Sequence, residues 1–362
     1  MKSAKPSSSR WARLLLILAI GAVALATLAP TDDNGAIPFT CIACGEVGTV
    51  EFIWNVFLFI PFGFAAVRTS RSVLVASLSA LGLSIAVESI QFFAIPGRDA
   101  ALGDLLANAI GGWIGAVIGR HLMALIKPSP GVARRLAAAT SVTALAILGL
   151  GWRLSDLDLP NDPWYGQLAP VLGQYSTFPG RVLRATVNRA PVPIGLIGDW
   201  DRLRRGALTD GIVLETRLVT GAPTPALAPV VSIFDAHQRR VLLLGQDGRD
   251  LRFEVRLRSE SVRLRAPGFV ARRVIPSRAG DTVDVRAVFA RGRYELQVAT
   301  RGQEHAILRR FTLSPAIGWA FIAPRSIALG LPARVASLVW VLLLAGPPIY
   351  FARRARRIPS TS

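Results

Sequence analysis

Six polar side chains stand in or beside stretches otherwise apolar enough to cross a membrane: Asn55, Glu88, Gln91, Arg98, Asp104 and Asn108. Their types suffice for chemistry. A carboxyl at Glu88 or Asp104 could act as general acid or base, with Arg98 orienting a phosphate or carboxylate and the three carboxamides positioning a substrate. The same groups could instead bind a ligand without transforming it. They could also neutralise one another as a purely structural network of ions and amides. An ionisable group inside a span is costly, so it faces a bundle interior or a wet cavity rather than lipid.

The elements that must position these residues follow from composition. Of 362 residues, 51% are hydrophobic, too many for a soluble protein of this length unless they gather in membrane spans. Windows with few charges fall at about 14–30, 50–67, 73–95, 102–119, 136–152 and 335–351. Each is near the ~20 residues that a spanning helix needs. The third window carries Ser77, Ser84, Glu88 and Gln91 at helical spacing, which makes one polar stripe. In the fourth, Asp104, Asn108, Gly111 and Gly115 share a face, and the glycines permit close helix approach. The second holds the run "NVFLFIPFGF" from Asn55, with Pro61 and Gly63 inside it. Pro61 removes one helical hydrogen bond, so the helix is expected to bend or unwind there and free a carbonyl that Asn55 could bridge to a carboxylate.

Loop charges set the orientation. With the N-terminus inside, the inner segments hold fourteen Lys and Arg residues, whereas the outer loops near 31–49 and 96–101 hold only Arg98. The positive-inside rule then places both termini in the cytoplasm, the 153–330 segment outside, and all six polar residues towards the outer surface. The first span reads as an uncleaved anchor, although Ala24-Leu25-Ala26 has the small-residue spacing of a cleavage site. Cys41 and Cys44, the only cysteines, lie in the first outer loop, where a pair three apart reads as a disulfide staple. No metal site is expected, because His121, His237 and His305 are distant from the cysteines in sequence. No cofactor is implied.

Residues 153–330 differ in kind. "DLRFEVRLR" puts Leu251, Phe253, Val255 and Leu257 on one side and charges on the other, the period-two mark of a half-buried strand. "VDVRAVF" and "RYELQVAT" repeat it across the turn Arg291-Gly292, and Gln246-Asp247-Gly248-Arg249 signals another hairpin. Without helical patches between them, these strands predict an antiparallel, jelly-roll-like β-sandwich. The domain plan is therefore 1–152 in the membrane, 153–330 as an extracytoplasmic sandwich, and 331–362 as a sixth helix with a basic cytoplasmic tail. The sandwich segment has 26 arginines against 16 acidic residues. Arginine binds phosphate and carboxylate bidentately, so an anionic envelope polymer, a glycan or lipid head groups are candidate partners, and a solvated arginine-rich strand face is the alternative. Nucleic acid is not expected on the outer side.

"NVFLFIPFGF", "ESIQFF" and "PGRDAALGDLLANAIGGWIGAVIG" together resemble the VanZ-like family of bacterial membrane proteins over about residues 10–126. The matching positions are Asn55, Phe59, Pro61, Gly63, Glu88, Gln91, Arg98, Asp104, Asn108 and Gly111. Many relatives have an acidic residue three after the arginine, where this chain has Ala101, with Asp99 nearby. The resemblance implies a role in the bacterial cell envelope, linked to resistance to the lipoglycopeptide teicoplanin, and implies no reaction. The run "VVSIFDAHQRRVLLLGQDGRDLRFEVR" is similar to laminin-G or concanavalin A-like sandwiches, whose members often bind glycans, sometimes with calcium. The carboxylates Asp235, Asp247 and Asp250 suit turn and surface roles.

No Walker loop, G-x-S-x-G, H-E-x-x-H or dinucleotide fingerprint occurs, which disfavours familiar soluble-enzyme chemistry. Three readings remain. The protein binds a lipid-linked cell-wall precursor or glycopeptide at an outer-leaflet polar site in the cytoplasmic membrane; or it is an intramembrane enzyme using Glu88 and Asp104; or it is a structural envelope scaffold in contact with membrane lipids.

Overall fold

The structure, a computed structural model, describes residues 7–28, 38–95, 101–173, 175–276, 278–302, 305–325 and 327–356. Two compact units divide the chain at Ser141/Val142 and Ala345/Gly346, both inside helices.

The first unit is helical. Helices α1 (Ser7–Thr27), α2 (Gly48–Ser70), α3 (Val73–Ala94), α4 (Leu102–Ile126) and the start of α5 (Pro130–Leu154) build it, with the end of the last helix, α9 (Leu331–Ala355). All six are long and apolar enough to cross a membrane. Several run past the apolar windows, α4 to Ile126 and α5 from Pro130, because a helix persists into the polar interface as long as its backbone bonds are satisfied. Local caps set the α2–α3 junction. Arg71 takes a left-handed φ of 60° and returns its N–H to Val67, and Ser72 caps α3 by accepting from the Val75 N–H at 3.3 Å.

Glycine governs how α2 and α4 pack. A Cβ at Gly111 would overlap the carbonyl of Val56, one at Gly115 that of Ile60, and one at Gly63 the carbonyl of Gly112. Two backbones thus touch where side chains would hold them apart. Phe59, Phe62, Ala66 and Val67 of α2 then close a core with Val23, Ala80, Val87 and Ala116. Pro61 does not unwind α2, which runs unbroken from Gly48 to Ser70.

The second unit is a two-sheet sandwich. Its strands are β1 (Trp164–Leu168), β2 (Arg181–Val187), β3 (Ala190–Pro191), β4 (Gly195–Leu196), β5 (Ile212–Val219), β6 (Thr224–Asp235) and β7 (Arg240–Gly248). They continue with β8 (Asp250–Val255), β9 (Gly268–Ala271), β10 (Thr282–Ala290), β11 (Arg293–Thr300), β12 (Ile307–Thr312) and β13 (Ala328–Leu329). One sheet has the order β13-β9-β8-β7-β6-β1-β4 and the other β12-β11-β10-β5-β2-β3. Every pairing is antiparallel except β13 with β9. Arg291 and Gly292, at φ 50° and 70°, form the tight turn joining β10 to β11, as that dipeptide predicts.

Inward positions follow the alternation: Leu251, Phe253, Val255 and Leu257 are fully buried, and Tyr294 packs against Phe253, Phe269 and Phe289. Two expectations fail. Glu254 is buried at 4% exposure, so the polar side of β8 is covered as well. The segment also contains helical patches, chiefly α6 (Trp200–Asp210), besides the short turns α7 (Arg258–Ser261) and α8 (Gly318–Phe321). Leu203 and Ala207 give α6 a one-sided apolar stripe, and its many arginines conceal that stripe from a reading based on alternation.

Candidate functional site

The polar residues of α2, α3 and α4 form a ladder with two levels. At the first, Asn55 of α2 donates from Nδ2 to Asp104 Oδ1 of α4 at 2.5 Å, and the Ala101 N–H preceding α4 donates to Glu88 Oε2 of α3 at 3.2 Å. At the second, one helical turn along, Asn108 Nδ2 of α4 donates to Ser84 Oγ of α3 at 2.9 Å. The two levels are linked by sequence spacing, since Ser84 and Glu88, like Asp104 and Asn108, are four apart on one helix face. Glu88 and Asn108 are buried at 5% and 2% exposure.

Gln91 turns elsewhere. Its Nε2 donates to the Thr27 carbonyl of α1 at 2.7 Å, so it ties α1 to α3 rather than joining the ladder. Arg98 lies outside the described residues. Ser84 was legible as part of the α3 stripe, but its place as the partner of Asn108 was not; Thr27 carries no sequence signal, because it contributes only a main-chain carbonyl.

Within the ladder one atom has no partner among the described residues, and further along α3 the Ser77 hydroxyl has none either. Asn108 Oδ1 is buried and accepts no hydrogen bond among the described residues. Turning the amide over does not cure this, because Ser84 can donate as well as accept and the unpartnered atom would then be the NH2 group. A buried amide atom left unmet costs about 1–3 kcal/mol, and it lies one turn from two carboxylates.

The disulfide loop positions this ladder. Cys41 and Cys44 are bonded, and the loop places the carbonyls of Phe39 and Cys41 over the start of α4, where they accept from Leu102 N at 2.8 Å and Gly103 N at 3.0 Å. These N–H groups have no partner within the helix. Gly103 is required there because a Cβ would overlap the carbonyl of Ile42. Asp104 follows directly.

The sandwich holds its own charged clusters. Arg240 pairs with Glu254 and, at 2.9 Å, with Glu260, while Arg252 reaches Glu254 at 2.5 Å. Burial works against the Arg240 charge, yet Glu254 and Glu260 outweigh it and hold the guanidinium above its ordinary range. Burial also raises the Glu260 carboxyl, and it pushes the Tyr294 phenol far up, with Glu254 and Glu260 adding to that rise. Asp162, Asp235 and His237 come within 4.8 Å of one another, close enough to hold a metal ion. A cation is already present: Arg239 donates Nε to Asp235 at 2.6 Å and Nη2 to Asp162. Asp235 also accepts the N–H groups of His237 and Arg239, and Asp250 accepts that of Arg273, which are turn-fixing roles.

Six apolar helices, a glycine-packed pair and a buried polar ladder define a multi-span membrane protein. Residues 9–124 match the model of the VanZ/LLP1 family, and this region is VanZ-like. No curated protein and no solved structure matches the chain, so the laminin-G or concanavalin A likeness of the sandwich has no match beside it.

Proposed function

We propose that the protein binds a polar group of a lipid-linked or glycopeptide-type ligand of the bacterial cell envelope at the ladder of Asn55, Glu88, Asp104 and Asn108, and thereby contributes to resistance to glycopeptides such as teicoplanin. The observation that carries this reading is Asn108 Oδ1, a buried acceptor beside two carboxylates that still lacks a donor. A ligand hydroxyl or amide would supply that donor. Arg98, from the loop joining α3 to α4, would meet an anionic part of the same ligand.

Binding suits the geometry better than turnover. Glu88 and Asp104 both accept hydrogen bonds from fixed donors, an arrangement suited to holding a ligand's polar group in place. The charge asymmetry of the loops supports a cytoplasmic membrane location with both termini inside and the 153–330 domain outside.

The test is teicoplanin susceptibility of a sensitive host expressing the wild type, Asn108→Leu or Glu88→Gln at equal membrane abundance. Protection by the wild type and its loss in both variants is the expected result. Variants that protect as well as the wild type, or a wild type that protects not at all, would sink the reading.

A further inference from the structure

A cleft lies in the second unit, where strand β12 meets the first turns of α9. It encloses about 560 Å³ and is lined by Arg293, Arg310 and Arg334 with the hydroxyls of Thr312, Ser314 and Ser337. Its charge is only partly answered. Arg310 pairs with Glu295 at 2.7 Å, whereas Arg293 and Arg334 have no ion pair among the described residues. Three arginines against one glutamate leave two positive charges facing a single cleft.

The fold places these groups deliberately close. Arg293 and Thr312 are direct cross-strand partners, as are Glu295 and Arg310 two pairs further on, so both arginines stand on the same face of the β11–β12 ladder. Arg334 comes from α9 and lies over the Phe311 ring, its guanidinium carbon 6.0 Å from the centroid, which steers it towards β12. Ser337 Oγ accepts from Trp319 Nε1 at 3.0 Å. With its lone pair engaged there, its proton is left to donate into the cleft.

The cleft lies against a helix apolar enough to cross a membrane, which favours a lipid as the source of an anion. Arg334 and Ser337 occupy the first two turns of a helix apolar enough to span a membrane. On that helix Val335, Leu338, Val339 and Leu342 are exposed, at 59%, 61%, 49% and 62%, and in a membrane lipid chains would cover them. Trp152 near the end of α5, with Trp319 and Trp340, adds indoles of the kind that collect at head-group depth. An anion in the cleft therefore meets arginines on the water side and an apolar helix face on the other.

We infer that this cleft binds the phosphate head group of an anionic membrane lipid, the guanidinium forks of Arg293 and Arg334 taking the phosphate oxygens and the acyl chains lying along α9. The site is separate from the Asn108 ladder, and its test is independent of antibiotic susceptibility.

The full chain in neutral detergent is titrated calorimetrically with dioctanoyl phosphatidylglycerol, dioctanoyl phosphatidylcholine and inorganic phosphate. Phosphatidylglycerol should bind at least about tenfold more tightly than either of the others, and Arg293→Gln and Arg334→Gln should each weaken it about tenfold, the scale of one charge-assisted hydrogen bond. Glu295→Gln releases Arg310 and should tighten binding, a gain that misfolding cannot mimic. Equal binding of the two lipids, or unchanged affinity in all three variants, overturns the site. Inorganic phosphate binding as tightly as phosphatidylglycerol overturns the lipid assignment and leaves a soluble phosphate as occupant.

Discussion

The helical bundle and the sandwich treat buried polarity in opposite ways. In the sandwich, Glu254 at 4% exposure is clasped by Arg240 and Arg252, and Asp235 at 0% exposure by Arg239 and two backbone N–H groups. There buried carboxylates are met by guanidinium groups, although among the described residues Arg240 Nε and Arg252 Nε are themselves buried atoms without a hydrogen bond. Among the described partners in the bundle, an amide meets Asp104, a main-chain N–H meets Glu88 and a hydroxyl meets Asn108, whose Oδ1 is left over. The open acceptor of Asn108 sits in a helix apolar enough to cross a membrane, where water is scarce, and this makes the bundle cluster the better functional candidate.

The largest expected effect breaks the sandwich side of the contrast. Arg240→Leu leaves Glu254 buried without its main counter-charge, and removing one partner of such a pair costs about 3–5 kcal/mol. Arg240 keeps 28% of its side chain exposed, so the lower end applies. For a unit of this size each kcal/mol is worth about 2–4 °C, and a fall of roughly 6–12 °C in the sandwich transition should appear by calorimetry.

Next comes the glycine seam that holds the ladder together. Gly115→Ala drives a methyl into the carbonyl of Ile60, a backbone atom that no side-chain rotation can move aside. Overpacking of this kind costs about 1–3 kcal/mol and should part α2 from α4. A cross-link between cysteines placed at Asn55 and Asp104 should form in the parent and fail in the Gly115→Ala background.

Asn108→Leu should have the opposite sign. It removes an unmet acceptor worth about 1–3 kcal/mol, and Ser84 can return its hydroxyl to the carbonyl four residues back, so the bundle should melt at the same temperature or higher while protection is lost. Destabilisation instead would make the ladder structural and erase the contrast.

Much of this architecture could be read from the chain. The spans follow from charge-free windows, and Glu88, Asp104 and Asn108 declare themselves as polar residues where lipid-facing ones are the rule. The alternation of "DLRFEVRLR" places Leu251, Phe253 and Val255 inward, as the structure has them. What stayed hidden depends on main-chain groups and on partners distant in sequence. Thr27 enters only through its carbonyl, and the cover over Glu254 comes from Arg240 on a neighbouring strand. Helix α6 was missed because its stripe of Leu203 and Ala207 is short and flanked by arginines. Pro61 misled in the other direction: a helix packed on both sides tolerates one missing N–H bond.

The smallest effect sharpens the comparison most finely. Arg217 and Asp284 face each other across β5 and β10 through two hydrogen bonds of 2.7 and 3.0 Å, which also hold the Arg217 guanidinium above its ordinary range. Both side chains are about half exposed. Water and salt already screen such a pair, so Arg217→Gln should leave the melting temperature of the sandwich unchanged within error, at low and at high salt. Arg293→Gln changes the charge by the same amount on an adjoining part of the same sheet, and it too should leave the melting temperature alone while weakening phosphatidylglycerol binding. If Arg217→Gln weakened lipid binding equally, the arginine surplus would act as a diffuse field. If only Arg293→Gln does so, the surplus is concentrated where carboxylates are missing, as Asn108 marks a place in the bundle where a donor is missing.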